Sequence, residues 1–140
     1  MIVHKKFLYA FVFGTAQEGC DPSILRGLTS NQLPAEPCEK IKKTLDASDI
    51  FFLHQTHSDT GKIISSREDV QQPILVQEGD YLITNIPGVA LGVLTADCLP
   101  VILYDPICKA LGVVHAGWRG SVQEISVKAL CVMRDTFGVK

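Results

Sequence analysis

The sequence lacks a surplus of basic residues, a long apolar run and any internal repeat or low-complexity tract. Its 13 Lys and Arg residues are outnumbered by 15 Asp and Glu residues, so the formal net charge is −2. A dedicated nucleic-acid-binding protein usually carries a basic surplus, and nucleic acid is therefore not an expected partner. No apolar run approaches the roughly 18–20 residues that span a bilayer, so no membrane partner is expected. A content of 46% apolar and 20% charged residues is instead typical of a globular domain.

The chain also lacks a regular pattern of cysteines. The five cysteines are odd in number and form no CxxC motif, and three of them lie in apolar surroundings. This pattern indicates a reducing compartment, and the expected location is cytoplasmic. The run from Phe7 to Phe13 follows His4-Lys5-Lys6 and loosely imitates a signal peptide, but no convincing cleavage site follows it. Because Phe, Tyr and Val favour a pleated surface, we interpret this run as a strand.

Short apolar runs separated by turn residues predict a β-rich second half. Several runs are apolar at consecutive positions, which is typical of strands buried on both faces of a covered sheet. A short amphipathic helix is predicted from Pro37 to Ala47, while residues 14–35 and 66–79 are expected to form a long loop and an exposed excursion. The predicted strands are Ile50–Leu53, Gly61–Ser65, Tyr81–Thr84, Val89–Thr95, Val101–Tyr104 and Ala110–His115.

One helix is strongly signalled in the last 20 residues. Ser121 and Glu124 fit a capping box, in which each side chain satisfies an unpaired backbone N–H of the first turn. Apolar residues then recur every three or four positions, and Gly138 is a natural stop. We therefore predict a helix over residues 121–137, with Trp118-Arg119-Gly120 as the turn that leads into it. Its predicted apolar face comprises Val122, Ile125, Ala129, Leu130, Met133 and Phe137.

Reactive side chains are concentrated at the ends of the predicted strands, where a rigid scaffold presents functional groups. Taken singly, each has an ordinary explanation as a solvated histidine, a turn aspartate, a small buried thiol or a surface cation. Together they form the set of candidate functional residues. They are His54, His57, Asp80, Asp97, Cys98, His115 and Arg119.

Cys98 and His115 are the most suggestive pair in this set. Each ends an apolar run, and their separation of 115 − 98 = 17 residues suits neighbouring strands. His57 would add a second imidazole. Two histidines and one cysteine leave one position of a tetrahedral zinc ion open, as in catalytic rather than structural sites. The spacing contains no compact ligand motif, so the residues alone make this site a hypothesis.

Four segments carry a resemblance to a known family. They are Gln55-Thr56-His57-Ser58, Gly79-Asp80-Tyr81-Leu82-Ile83-Thr84, Thr95-Ala96-Asp97-Cys98-Leu99-Pro100-Val101 and His115-Ala116-Gly117-Trp118-Arg119-Gly120. In sequence, order and spacing the chain resembles the bacterial and animal proteins labelled multicopper polyphenol oxidoreductases or laccase domains and now regarded as purine nucleoside phosphorylases. The resemblance is strong over residues 50–138 and weak over the first 45.

The resemblance implies an α+β fold, a layered sandwich of mixed β-sheets covered by helices. It implies phosphorolysis of purine nucleosides such as adenosine and inosine, with adenosine deamination and methylthioadenosine cleavage as related activities. The partners would then be a purine nucleoside and phosphate. By resemblance, the ligands of a zinc ion fall on His57, Cys98 and His115, and His54 lies outside this set.

The neighbours of these ligands suit the implied chemistry. Zinc lowers the pKa of bound water to about 7, which provides a nucleophile for deamination at the purine C6 position. Asp80 and Asp97 are the candidate catalytic carboxylates for proton transfer. Arg119, with the N–H groups of the helix expected near Ser121, would bind the phosphate anion.

Two features depart from the family pattern. The family usually has an arginine soon after its first strand, but residues 13–17 contain none, which removes one expected phosphate contact. Family members also continue well beyond the helix that is predicted to end near Gly138. We therefore expect residues 1–140 to be a single domain that lacks the family's C-terminal part. Because apolar area would stay uncovered, we expect self-association and weak or no turnover.

Other functions stay open at this point. Cys98 could be the nucleophile of an amide or ester hydrolase, with His115 as its base. A copper oxidase needs several copper sites, and four histidines are too few, so copper is less favoured than zinc. A short chain could also be a non-enzymatic module that keeps the fold without turnover.

Overall fold

The computed structural model describes residues 2–4, 11–13, 35–70 and 77–140. These residues form an α+β fold of three sheets and several helices, as predicted. The strands are β1 (Ile2–His4), β2 (Phe11–Phe13), β3 (Asp49–Phe51), β4 (Gly61–Ile64), β5 (Tyr81–Thr84), β6 (Val89–Leu91), β7 (Leu99–Asp105) and β8 (Ala110–Ala116). The helices are α1 (Ala35–Leu45), α2 (Arg67–Val70), α3 (Trp118–Val122) and α4 (Ile125–Phe137).

The central element is a mixed four-stranded sheet in the order β4-β5-β8-β7. β4 and β5 are parallel, whereas β8 is antiparallel to both β5 and β7. β3 and β6 form a separate parallel pair, and β1 and β2 form an antiparallel pair. The short β7–β8 connection makes a hairpin, which places the start of β7 beside the end of β8.

The two faces of the central sheet are covered by different layers. Alternate residues of β5 and β8 pack against α4 on one face, where Ile125, Ala129 and Met133 are buried. The intervening residues Leu82 and Val113 pack on the other face with apolar residues of the β3–β6 layer. The prediction of strands buried on both faces is therefore confirmed, because side chains alternate between two covered faces.

The predicted strand Val89–Thr95 is wrong in its second half. β6 ends at Leu91, and the segment of residues 92–98 continues without strand pairing. Both backbone polar groups of Leu94 bond instead to the side-chain amide of Gln55. β7 in turn begins at Leu99 and is longer than the predicted Val101–Tyr104.

The predicted helix 121–137 is divided into two helices, and its capping box is wrong. Trp118-Arg119-Gly120 belongs to α3 rather than to a turn, so Ser121 lies inside a helix and cannot cap one. Glu124 has φ 59°, a left-handed conformation that separates α3 from α4, and its side chain makes no capping hydrogen bond. Val122 and Leu130 are exposed rather than buried. Gly138 ends α4 with φ 74°, as predicted.

Some predictions fall outside the described residues. They are the N-terminal half of the predicted strand Phe7–Phe13, almost all of the loop 14–35, and residues 71–76 of the excursion 66–79. None of the helices described is long and apolar enough to cross a membrane.

Candidate metal centre

His57, Cys98 and His115 converge at one end of the β7–β8 hairpin. Their potential ligand atoms all lie within 4.8 Å of one another. The Cys98 Sγ atom is 3.8 Å from Nε2 of His57, and the two imidazole rings meet edge to face with centroids 4.8 Å apart. Among the described residues, this is the one group of His, Cys and acidic side chains arranged to hold a metal ion.

The hairpin register explains how two of these residues meet. Leu99 pairs with Ala116 and Pro100 pairs with His115. Cys98, which immediately precedes β7, is therefore held beside the residues that end β8. The proximity predicted from the separation of 17 residues is present, but Cys98 does not end a strand. It directly precedes β7, which pairs with β8 itself.

His57 reaches the centre from a loop with an unusual backbone conformation. Its φ of 59° lies in the left-handed region, which costs a non-glycine residue about 1–2 kcal/mol. Asp80 compensates for this strain by accepting hydrogen bonds from the loop. The N–H of His57 donates to Oδ1 at 3.1 Å, and the N–H groups of Thr56 and Ser58 donate to Oδ2 at 3.3 and 2.6 Å.

Asp80 also holds the second histidine. Its Oδ1 atom is 2.8 Å from Nδ1 of His115, and its backbone C=O accepts the His115 N–H at 2.7 Å. With Nδ1 engaged by the carboxylate, Nε2 is the His115 nitrogen left for a metal. This carboxylate–histidine arrangement orients ligands in many metal sites. One buried carboxylate therefore fixes both histidines of the centre.

The Asp80 carboxylate stays ionised although it is only 1% exposed. Burial by itself raises the pKa of this group, but hydrogen bonds from His115, Ser58 and Thr56 outweigh that effect and hold the pKa below its ordinary value. The Cys98 thiol responds differently. Burial, together with the adjacent Asp97 carboxylate, raises the pKa of Cys98.

Two glycines allow α3 to approach the centre closely. A Cβ atom on Gly117 would lie 2.8 Å from Cδ2 of His57 and 3.3 Å from Sγ of Cys98. A Cβ atom on Gly120 would lie 3.0 Å from the backbone oxygen of Ser58. Larger residues at these positions would push the His57 loop away from the end of β8.

The remaining candidate residues lie around this centre rather than in it. Asp97 is exposed, with Oδ1 3.9 Å from the Cys98 sulfur. Arg119 is exposed on α3, where its guanidinium lies over the Trp118 ring at 5.4 Å from the centroid. The N–H of Ser121, expected to help bind an anion, bonds to the C=O of Gly117. His54 is outside the cluster, as predicted, and forms a backbone bridge to Glu78.

Sequence reasoning missed two residues that support the candidate ligands. Ser58 donates to Asp80 through both its N–H and its hydroxyl group. Gln55 connects the loop that bears His57 to the segment that precedes Cys98. Both residues belong to the segment Gln55-Thr56-His57-Ser58. Their proximity in sequence to His57 was the one feature that could have indicated a supporting role. Their roles depend on loop conformation, which the residue types do not specify.

The donor set fits a borderline-soft metal ion. Imidazole nitrogen and thiolate sulfur are ligands that Zn²⁺ accepts readily, and three protein donors leave a tetrahedral position for water or substrate. The oriented His115 and the buried carboxylate behind it match the outer-sphere support of such sites. The residues present therefore fit a mononuclear zinc ion.

The fold and this donor set define the class as an α+β protein with a candidate mononuclear metal centre. The family model described as multi-copper polyphenol oxidoreductase laccase matches residues 35–140. The chain belongs to this family, which confirms the resemblance drawn from its motifs.

Curated relatives in this family carry enzyme names. The purine nucleoside phosphorylase of Clostridium acetobutylicum is 33% identical over 129 residues, which cover 92% of this chain and 50% of that protein. A purine nucleoside phosphorylase of Rickettsia prowazekii is 31% identical over 126 residues, covering 89% of this chain and 50% of that protein. The adenosine deaminase RL5, from an unknown prokaryotic organism, is 37% identical over 94 residues, covering 62% and 36%.

Solved structures share the fold. A Neisseria meningitidis protein superposes with a TM-score of 0.60 at 25% identity, covering 77% of this chain and 42% of that one. A Bacillus licheniformis hypothetical protein gives a TM-score of 0.61 at 28% identity, covering 75% and 41%. The chain spans about half the length of the curated relatives it matches.

Proposed function

We propose that this chain carries the zinc centre of a purine nucleoside phosphorylase that acts on adenosine and inosine. The observation that carries the proposal is the convergence of His57, Cys98 and His115 within 4.8 Å, with both histidines fixed by Asp80. Relatives named purine nucleoside phosphorylase, at 31–33% identity, support the reaction class.

Each residue has a proposed role that follows from its position. His57, Cys98 and His115 hold the zinc ion, which when bound supplies Lewis-acid activation of a coordinated ligand. Asp80 orients the histidines and keeps a negative charge behind them. Asp97, exposed beside Cys98, is the candidate for moving protons to and from the substrate.

Arg119 is proposed to bind the phosphate that attacks the ribose. Its guanidinium is exposed two residues after Gly117, which contacts the centre. A planar, permanently charged group suits bidentate binding of phosphate. The helix N–H groups that were expected to assist are absent from this role, because Ser121 lies inside α3.

Related activities belong to the same proposal. A relative named adenosine deaminase supports adenosine deamination as a side activity, and methylthioadenosine is a further proposed substrate. The cysteine pattern supports a cytoplasmic location. Zinc is proposed over copper because the described residues present a single three-donor cluster rather than several.

The test measures release of the free purine base from inosine and from adenosine by zinc-loaded protein, with and without phosphate. We expect any release to be weak, to require phosphate and to disappear, together with stoichiometric zinc, in Cys98→Ala. The matched control is Cys131→Ala, since Cys131 lies on α4 outside the cluster. Full zinc occupancy in Cys98→Ala would overturn the ligand assignment, and phosphate-independent release would overturn the reaction.

The same samples separate this proposal from a cysteine hydrolase. In that alternative His115 is the base for Cys98, and the Cys98 sulfur lies within 4.8 Å of a ring nitrogen of His115. A metal ligand makes activity sensitive to chelators and restorable by zinc. Ester hydrolysis that survives chelation but is lost on thiol alkylation would favour the hydrolase.

A further inference from the structure

The side chain of Gln55 makes a two-way connection between two loops at the metal centre. Its Nε2 group donates to the C=O of Leu94 at 2.8 Å, and its Oε1 atom accepts the Leu94 N–H at 2.7 Å. The amide thus satisfies the donor and the acceptor of one residue that is 39 positions away in the sequence. A primary amide is the side-chain group that matches a peptide unit in this way.

The position of this connection relates it to the ligands. Gln55 lies two residues before His57, and Leu94 lies four residues before Cys98. The segment between β6 and β7 has left the sheet after Leu91, so strand pairing does not fix its path. The start of this segment is held to β3 by a backbone hydrogen bond from the Gly92 N–H to the C=O of Phe51, at 2.8 Å.

We infer that Gln55 is a positioning residue for the metal centre. Asp80 ties the His57 loop to His115, and Gln55 ties the same loop to the segment that delivers Cys98. The side chains of Asp80 and Gln55 thereby connect the segments that carry the three ligands through hydrogen bonds. The inference rests on the proposed metal centre and is independent of the reaction performed there.

The substitution that tests the role is Gln55→Met, which keeps length and volume but removes both hydrogen bonds. Supporting groups outside the ligand set typically change metal affinity by about 10–100-fold when they are removed. We expect a loss of Zn²⁺ affinity in this range for the folded variant. Because Cys98 is the ligand on the released segment, the sulfur–metal bond should weaken first.

Co²⁺ substitution makes the sulfur bond visible. A thiolate bound to Co²⁺ gives a near-ultraviolet charge-transfer band, whereas bound imidazoles contribute only to the weak visible bands. We expect Gln55→Met to lose charge-transfer intensity while visible bands persist at saturating Co²⁺. The control is Gln123→Met, since Gln123 is an exposed residue in the turn between α3 and α4. The control should bind Zn²⁺ and Co²⁺ like the parent chain.

The outcomes separate positioning from a purely structural role. A structural role predicts a lower melting temperature for the metal-free variant, with unchanged metal affinity and an unchanged charge-transfer band in its folded form. That result would overturn the inference. If Gln55→Met does not fold, Gln55→Glu keeps an acceptor for the Leu94 N–H but places a second oxygen against the Leu94 C=O, and it is also expected to lose affinity and band intensity. Parent-like values in that variant would also overturn it.

Failure of the proposed function gives a different signature. If the parent chain itself binds neither Zn²⁺ nor Co²⁺, then the metal centre is wrong and the inference falls with it. If the parent binds both ions but releases purine base without needing phosphate, the reaction is wrong while the role of Gln55 is still tested by the spectra.

Discussion

The Asp80 carboxylate is a negative charge held almost out of contact with solvent. It is stable there because both of its oxygens accept hydrogen bonds from the His57 loop and from His115. A buried charge without such donors would be neutralised by proton uptake. The same bonds that keep it ionised also place the two histidines, so electrostatics and ligand geometry depend on one residue.

We predict that Asp80→Asn damages both folding and metal binding. Asparagine replaces one acceptor oxygen with an NH₂ group, which would face the N–H donors of the His57 loop or of His115. A buried polar mismatch of this kind costs about 1–3 kcal/mol, and metal affinity should fall by about 10–100-fold. Chemical denaturation and competition with a chromophoric chelator measure the two effects. Asp135→Asn, an exposed change on α4, should alter neither, and equal behaviour of the two variants would contradict the prediction.

Arg119 is expected to serve the substrate rather than the fold. Its side chain is exposed, and a guanidinium over an exposed indole contributes only about 0.5–1 kcal/mol. We predict that Arg119→Ala leaves the melting temperature nearly unchanged and raises the phosphate KM. Arg134→Ala, which removes an exposed arginine paired with Asp135, is the control and should leave the phosphate KM unchanged. A large loss of stability with normal kinetics would show a structural arginine.

The proposed ligands were more predictable from the sequence than the residues that support them. His57, Cys98 and His115 could be selected because they end apolar runs and match the motifs of a family. Asp80 was selected as a proton carrier, whereas the structure shows its carboxylate occupied by N–H and O–H donors. Those donors come from a loop in which His57 adopts the left-handed conformation. Because this position is not a glycine, the sequence does not indicate that conformation.

Two glycines at helix ends, Gly117 before α3 and Gly138 after α4, are required for different reasons. Gly117 has φ −68° and ψ 166°, which any residue can adopt, so a methyl group there costs only its collision with His57 and Cys98. Gly138 is the reverse case, because nothing lies within 4 Å of its Cβ position but its φ is 74°. The two glycines are therefore required for different physical reasons.

We predict that alanine affects metal binding at one of these positions and stability at the other. Gly117→Ala should displace the His57 ring and weaken Zn²⁺ binding by about tenfold or more, with little change in metal-free stability. Gly138→Ala should lower stability by about 1 kcal/mol through the left-handed backbone and leave metal affinity unchanged. Calorimetry of metal-free protein and zinc titration of both variants test this. If the two variants lose stability and affinity in the same proportion, the distinction is wrong.

The last residue of β7, Asp105, has a carboxylate whose effect on stability depends on pH. Asp105 Oδ1 accepts the N–H groups of Cys108 and Ile107 at 2.7 and 2.8 Å. The Cys108 N–H is the main cause that lowers the pKa of Asp105, and it outweighs the opposing effect of burial. A lowered folded-state pKa means that the ionised group stabilises the fold above its unfolded pKa of about 3.9 and stops doing so as pH falls through the folded pKa.

We therefore predict that Asp105→Ala lowers the melting temperature at pH 7 by several degrees, and that the difference from the parent shrinks below about pH 4. Asp135→Ala is the control, because its carboxylate is exposed on α4. Thermal unfolding monitored from pH 7 to pH 3 gives the comparison. A difference between parent and Asp105→Ala that stays constant over this range would show that the carboxylate charge is not responsible.

The division of the C-terminal helix into α3 and α4 could not be predicted from the apolar periodicity. The periodic apolar residues correctly located Ile125, Ala129 and Met133 in the core. The capping-box prediction is wrong because the helix begins at Trp118, so Ser121 already lies within it. The break then falls on Glu124, a residue type that does not usually adopt the left-handed conformation. No feature of the local sequence distinguishes this arrangement from one continuous helix.

At the scale of the whole molecule, apolar side chains lie exposed at both ends of the β7–β8 hairpin. Leu99, at the start of β7, is 64% exposed, and Val122, at the end of α3, is 77% exposed. Trp118 is also largely exposed close to the candidate centre. Among the described strands, β7 is moreover at the edge of the central sheet, so no described strand pairs with its outer side. Apolar side chains beside an open strand edge favour association with another chain.

We predict that the 140-residue chain self-associates through the end of the hairpin that bears the candidate metal centre. The double change Leu99→Ser and Val122→Ser should shift the molar mass measured by light scattering toward the monomer at equal concentration. Ile107→Ser is the matched control: Ile107 is 84% exposed but lies at the opposite end of the hairpin, so its removal should leave the mass unchanged. An equal shift with the control would mean that general surface hydrophobicity causes the association. A monomeric parent chain over the same concentration range would contradict the prediction. It would show that the exposure of these apolar side chains is not unfavourable enough to drive association with a second copy.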